Sequence, residues 1–258
     1  MSALAYAVSD TLVLAKRNLL RIPRAPDLLI SFTVQPIMFV VLFVYVFGGA
    51  IETPGFEDYT DFLMPGIIVQ TMSFGGFVTA LGLAEDLKKG LVDRFRSLPM
   101  ARSAVLSGRT LADVATNSVS LAVMVAVGLL VGFTFDASPF EILAGIALML
   151  LFGYAFSWIF AFFGLSASSA EAAQAIGFMA IFPLTFISSA FVPVESMPAA
   201  LEWFADVNPF TTVVDAMRAL WVDTPAGNDI WAAVLWCLGL IAVFAPLSVA
   251  RYRRAVSR

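Results

Sequence analysis

The sequence predicts an all-α integral membrane protein with six transmembrane helices, and three observations carry that prediction. The 258 residues are 60% hydrophobic and only 13% charged, about half the charged fraction that keeps a soluble domain's surface wet. Six apolar stretches reach the length of about 20 residues that crosses a hydrocarbon core of about 30 Å. Fourteen of the fifteen Lys and Arg residues fall on one side of those stretches, the pattern of a protein that keeps its cations in the cytoplasm.

Residues 1–26 form the first element. Leu4, Val8, Leu12, Ala15, Leu19 and Ile22 recur every three or four positions, with Lys16, Arg17 and Arg21 elsewhere on the wheel. This predicts an amphipathic helix lying on the cytoplasmic leaflet. The start "MSALAYAVSD" lacks a basic n-region, so no cleavable signal is expected. "RIPRAPD" breaks the helix ahead of a transmembrane domain over 27–258, with spans at 28–48, 62–84, 110–135, 142–165, 172–191 and 230–250. Pro36 and Pro65 should interrupt the first two spans, and Pro183 should kink the fifth. Gly128 and Gly132 have the spacing that lets two helices approach closely. Six spans put both termini on the cytoplasmic side of a cell membrane. The opposite side holds twelve acids and one cation, Arg218.

Composition excludes several chemistries. With no His and a single Cys, Cys237, the chain lacks the residues of a His-type zinc site, a Ser-His-Asp triad or an internal disulfide. No metal site and no catalytic residue is expected. The three lysines, Lys16, Lys88 and Lys89, follow no glycine-rich phosphate loop, so ATP is not bound here by a Walker motif. No Asp, Glu, Lys or Arg lies near the middle of a span, so no intramembrane carboxylate is expected for proton coupling. Gln35, Gln70, Asn117, Ser118, Gln174, Ser188 and Ser189 supply the polarity, read as interhelical hydrogen bonds. Gln35, Gln70 and Asn117 are also candidates for a substrate path.

Two segments outside the spans stand out. Between the second and third spans, "EDLKKGLVDRFRSLPMARSAVLSGR" carries six cations. Leu87, Leu91, Phe95 and Leu98 form one stripe of a short helix that Pro99 ends. Glu85 and Asp86 are expected at its positive N-terminal end. Lipid headgroups or a protein partner could cover the stripe, and the acids mixed among the bases favour protein. The long loop 192–229 carries two helix starts, one at Ser196 before Pro198, the other at Asn208 with Pro209 at the first helical position. Val213, Val214, Met217, Leu220 and Trp221 share a face, and Asp215 and Arg218 are i,i+3 neighbours able to pair. Such apolar helices are expected either to dip back into the membrane or to lie on its surface, with Trp203, Trp221 and Trp231 at the interface.

"EDLKKGLVDRFRSLPMAR" and "SSAFVPVESMPAALEWFADVNPFTTVVDAMRALW" resemble the two signatures of ABC-2 type exporter permeases, in particular those of the daunorubicin/doxorubicin-resistance type. The resemblance covers essentially the whole chain. It implies a half-transporter that pairs into a homo- or heterodimer, with ATP and Mg bound on separate ATPase subunits and no cofactor on this chain. By position, Glu85, Gly90, Leu98, Pro99 and Arg102 match the cytoplasmic signature, with Leu87, Leu91 and Phe95 on the same ATPase-coupling helix. Pro193, Pro198, Asn208, Pro209, Asp215 and Arg218 match the signature of an outer re-entrant loop. The substrate expected is an amphiphilic drug or lipid, to suit spans rich in Phe, Met and amides. A polysaccharide-exporting permease, an ion-coupled carrier and a channel stand as alternatives. A membrane enzyme is disfavoured by the absence of "HExxH" and "GxSxG" motifs.

Overall fold

The computed structural model describes residues 3–21, 26–49, 51, 53–56, 58–88, 102–225 and 227–256. Among these the chain forms helices and loops, with no strand. Helix α1 (Ala3–Arg21) precedes α2 (Pro26–Leu42), which runs on into a π-helical segment, Phe43–Phe47. Then follow α3 (Tyr59–Phe74), α4 (Phe77–Lys88), α5 (Arg102–Leu130), α6 (Pro139–Ser166), α7 (Ala170–Phe186), α8 (Ala199–Asp206), α9 (Pro209–Trp221) and α10 (Asp229–Val256). Four stretches are long and apolar enough to cross a membrane: Tyr59–Lys88, Ala104–Leu130, Pro139–Ser166 and Asp229–Arg254. Two apolar stretches, Val34–Phe47 and Ala170–Phe186, are shorter. At about 1.5 Å per residue the latter reaches about 26 Å, short of a full hydrocarbon core.

Local sequence sets several helix ends. Ser138 caps α6 in a capping box, its N–H donating to the Glu141 carboxylate at 2.8 Å, with Pro139 at the first helical position. Ser169 Oγ starts α7 by accepting from Ala172 N at 3.2 Å. Helix α5 stops because Gly132 takes a φ of 102°, a left-handed conformation that costs glycine little. Phe133 N then donates back to the Gly128 carbonyl at 2.9 Å. Gly132 therefore serves a helix terminus and not the helix pairing its spacing suggested.

Helix α6 is the hub, because it is apolar all round and so can be buried on every side. It packs against α3, α4, α5, α7, α9 and α10. The bundle's outer surface is greasy: Leu130, Phe140, Met179 and Leu235 are 85%, 80%, 77% and 68% exposed. That surface suits lipid and not water, as for a multi-pass membrane protein.

Three sequence expectations are corrected. Pro65 lies within α3 without breaking it, and the interruption falls at Gly75–Gly76, between α3 and α4. A Cβ on Gly75 would come within 2.6 Å of Asn117 Cγ, and one on Gly76 within 2.8 Å of Ser157 Cα. Close packing, not the missing proline N–H, decides where the helix bends. Second, α7 ends at Phe186 and not at 191, leaving irregular backbone from Ile187 onward. Third, Trp203 and Trp231 are exposed, but Trp221 is wholly buried against α6. Along α1, Leu14 and Ala15 are buried, with Leu14 and Thr11 meeting α5 at Gly108, and Leu12 and Leu19 are exposed.

Candidate functional site

The bundle's two ends each hold a buried charge cluster. The end away from the termini is organised by Arg218 on α9. Asn208 starts this helix as its cap, accepting from Phe210 N at 3.0 Å, with Pro209 next in line. The apolar face Val213, Val214, Met217 and Trp221 is fully buried. This seats α9 against α3, α6 and α10 and carries Arg218 inside with it, only 4% exposed.

There each nitrogen of the guanidinium has an acceptor. Nε and Nη2 donate to the Phe62 carbonyl at 3.1 and 2.9 Å, and Nη2 also donates to the Ser189 carbonyl at 2.7 Å. Nη1 donates to Asp215 Oδ1 at 2.9 Å, and Ser189 Oγ donates to the same oxygen at 2.8 Å. Cζ stands 3.7 Å from the centre of the Phe62 ring, a cation–π contact. Burial lowers the Arg218 pKa to about 10, opposed by Asp215, so the group stays charged at neutral pH.

These contacts explain how the chain tolerates a helix that stops early. Backbone carbonyls freed inside an apolar bundle must find donors. Asn208 Nδ2 donates to the Leu184 and Ile187 carbonyls at 2.7 and 2.6 Å. Arg218 takes Ser189, and Tyr59 Oη donates to the Phe191 carbonyl at 3.0 Å. Rings finish the seal, with Phe191 4.8 Å from Phe43 and 4.9 Å from Phe186. A cleft of about 400 Å³ borders this cluster through Phe56 and Tyr59.

The terminus-bearing end holds the second cluster. Arg109 Nη2 lies 3.1 Å from Asp86 Oδ2, both side chains 11% exposed. Tyr252 of α10 is buried beside this pair. Deeper on α5, Asp113 is 5% exposed, with Thr79, Ser157 and Arg109 as its polar neighbours. Asp113 corrects the expectation that the spans hold no buried carboxylate.

The structure places the sequence-predicted residues unevenly. Asn208, Pro209, Asp215 and Arg218 come together. Pro193 and Pro198 flank them, each just before a helical start, at Val194 and Ala199. Ser196 does not start α8; its Oγ donates back to the Pro193 carbonyl at 2.7 Å, and Pro198 holds the cap position. Gly90, Leu91, Phe95, Leu98 and Pro99 lie outside the described residues, as does the Arg102 side chain. Glu85 and Asp86 do not begin a new helix. They stand more than two turns into α4, which runs unbroken from Phe77, and Asp86 pairs with Arg109. Leu87 is half-buried and packs on Leu83, Leu106, Trp158 and their neighbours within this chain.

Gln35, Gln70 and Asn117 do not share a surface: Gln35 is exposed on α2, Gln70 is buried in α3, and Asn117 fits between Gly75 and Gly153. The hydroxyls mostly bond locally, Ser118 to the Val114 carbonyl of its own helix at 2.8 Å and Ser188, just past α7, to the Thr185 carbonyl at 2.6 Å. A helical hydroxyl reaches a carbonyl one turn back without a second helix. Ser189 to Asp215 is the long-range bond among the polar residues named from sequence. Tyr59 and Arg109 escaped the sequence reading as interior groups, though the i,i+4,i+8 spacing of Arg109, Asp113 and Asn117 was a readable sign of one polar face.

Comparison with known proteins agrees with this architecture. Residues 9–221 match the family model described as ABC-2 type transporter. The chain is 36% identical to the daunorubicin resistance ABC transporter permease protein DrrB1 of Streptomyces coeruleorubidus, over 97% of this chain and 88% of that one. It is 26% identical to a probable doxorubicin resistance ABC transporter permease protein, DrrC, of Mycobacterium tuberculosis, over 96% and 90%. A putative transport permease, ycf38, of Cyanophora paradoxa is 26% identical over 84% of this chain and 75% of its own. With that match extending from α1 through the whole of α9, the chain belongs to the ABC-2 type transporter family.

Proposed function

We propose that this chain is the membrane-spanning permease of an ATP-driven exporter that moves an amphiphilic drug or lipid-like molecule out of the cytoplasm. Separate ATPase subunits bind ATP and Mg and supply the energy. The observation that carries this reading is near full-length similarity to permeases named for daunorubicin and doxorubicin resistance. In this reading the two shorter apolar helices complete six spans, a second permease copy completes the pathway, and both termini are cytoplasmic in the cell membrane. The loop holding α8 and α9 re-enters from outside, and segment 85–102 meets the ATPase. An ion-coupled carrier is the second reading, favoured by the buried Asp113; transport that persists without an ATPase would select it.

Orientation is tested by single-cysteine labelling in a Cys237→Ala background. A membrane-impermeant reagent is expected to reach position 224 from outside and position 97 only after permeabilisation. Labelling of position 97 in intact cells overturns the orientation.

The ATPase contact is tested at Phe95. Truncating a buried aromatic at such an interface costs about 2 kcal/mol. Phe95→Ala is therefore expected to insert normally, release the co-purifying ATPase and stop efflux. A segment held only by lipid headgroups would depend on charge, at about 1 kcal/mol per Lys, and would respond to Lys88→Gln with Lys89→Gln instead. Full ATPase association in Phe95→Ala, with the loss confined to the lysine variant, assigns the segment to lipid.

A further inference from the structure

Arg109, Asp113 and Asn117 follow one another at four-residue steps along α5, which sets them on one face. All three are buried, at 9%, 5% and 1% exposure. That face looks onto α4 and α6. Arg109 bridges to Asp86 near the end of α4. One turn further in, Asp113 sits among Thr79 of α4 and Ser157 of α6. One turn beyond that, the Asn117 carboxamide fills the space left by two glycines: a Cβ on Gly75 would lie 2.6 Å from its Cγ and one on Gly153 2.5 Å from its Nδ2. Gly75 begins the break between α3 and α4, about halfway along the Tyr59–Lys88 stretch.

The column thus has a definite bottom and top. At the bottom, a buried ion pair joins the last turn of α4 to α5, the two helices that flank segment 89–101. At the top, an amide is wedged into the one bend of the α3–α4 stretch. Asp113 Oδ2, Thr79 Oγ1 and Asn117 Nδ2 have no hydrogen-bond partner among the described residues. Partly satisfied polar groups in an apolar bundle weaken packing, so they give no reason for the column as a stabilising device. Separating a buried ion pair is strongly unfavourable, so the ends of α4 and α5 must move together.

We propose that Arg109, Asp113 and Asn117 are positioning residues that couple the facing ends of α4 and α5 to the glycine break between α3 and α4. A displacement imposed at the Asp86–Arg109 pair is passed along the column and changes the bend at the middle of the bundle. The hydrogen-bonding atoms left unpaired in this state take partners in the other. The transport role rests on the proposed ATPase contact at 85–102; the mechanical link to the break does not.

Two measurements test the column. In the permease alone, hydrogen–deuterium exchange at 74–78 is expected to rise about tenfold in Asn117→Leu, which exchanges the carboxamide for two bulkier methyl groups beside Gly75, and to stay unchanged in Val119→Leu, on the exposed face. In the reconstituted complex, Asp113→Leu is expected to keep ATPase association and hydrolysis while substrate moved per ATP falls about tenfold or more. Asp113→Asn, which keeps shape and hydrogen bonding, should restore that ratio. Unchanged exchange in Asn117→Leu, or a wild-type transport ratio in Asp113→Leu, overturns the proposal. Should Asn117→Leu fail to insert, Asn117→Ala is read by the same exchange criterion. Failure of wild-type permease to hold an ATPase overturns the proposed function instead and leaves the exchange result standing.

Discussion

Arg218→Ala is expected to destabilise the bundle by about 3–5 kcal/mol and abolish export, because it leaves buried partners without their cation. The carbonyls of Phe62 and Ser189 lose three bonds between them, and Asp215 loses its counter-ion. Arg218→Lys should rescue little, since a point charge cannot reproduce a planar fork aimed at several acceptors. Asp215→Ala is expected to cost less, about 1–3 kcal/mol, because the Asp215 side chain is 38% exposed and Arg218 keeps its carbonyl bonds. The double variant should match Arg218→Ala within about 0.5 kcal/mol, and therefore fall below the sum. Thermal unfolding of the detergent-purified permease, with efflux measured in parallel, decides it. Equal and additive effects of the two single substitutions would remove Arg218 from its place as organiser of this end.

Trp221→Ala should be nearly as damaging, at about 3–5 kcal/mol for the loss of a buried aromatic and the cavity left behind. The indole fits over Gly145, where a Cβ would stand 2.8 Å from its Cδ1. Its Nε1 donates to the Ile142 carbonyl at 3.3 Å, and its ring meets Phe135 edge-on at 5.1 Å. Trp221→Phe should recover most of the stability, short by about one hydrogen bond. Trp203→Ala is the control: that ring is 68% exposed, and its removal should change stability by no more than about 0.5 kcal/mol. Comparable melting temperatures for the alanine variants of Trp221 and Trp203 would show that the burial of Trp221 contributes nothing.

Both results turn on residues whose chemistry was visible in the sequence but whose surroundings were not. The Asn208–Pro209 helix start, the apolar face from Val213 to Trp221 and the Asp215–Arg218 pair were all legible, since each depends on neighbours within about two helical turns. The function of Arg218 was not, because the carbonyl it binds belongs to Phe62, 156 positions away. Likewise Glu85 and Asp86 looked like the start of a helix. That reading used local charge alone, and the helix had in fact begun at Phe77.

By itself, then, the sequence determined that this protein is helical, that its long apolar helices are those of a membrane protein, and where α9 begins. Those properties follow from composition, from windows of about 20 residues and from capping chemistry, all of them short-range. Only the tertiary structure decided where α3 and α4 bend, where α7 stops, which tryptophan is buried and which carboxylates Arg109 serves. The physical reason is that a backbone freed from its own helix must be satisfied by a distant side chain, and two helices close only where glycine leaves room. Neither the donor nor the room is written beside the residue that needs it.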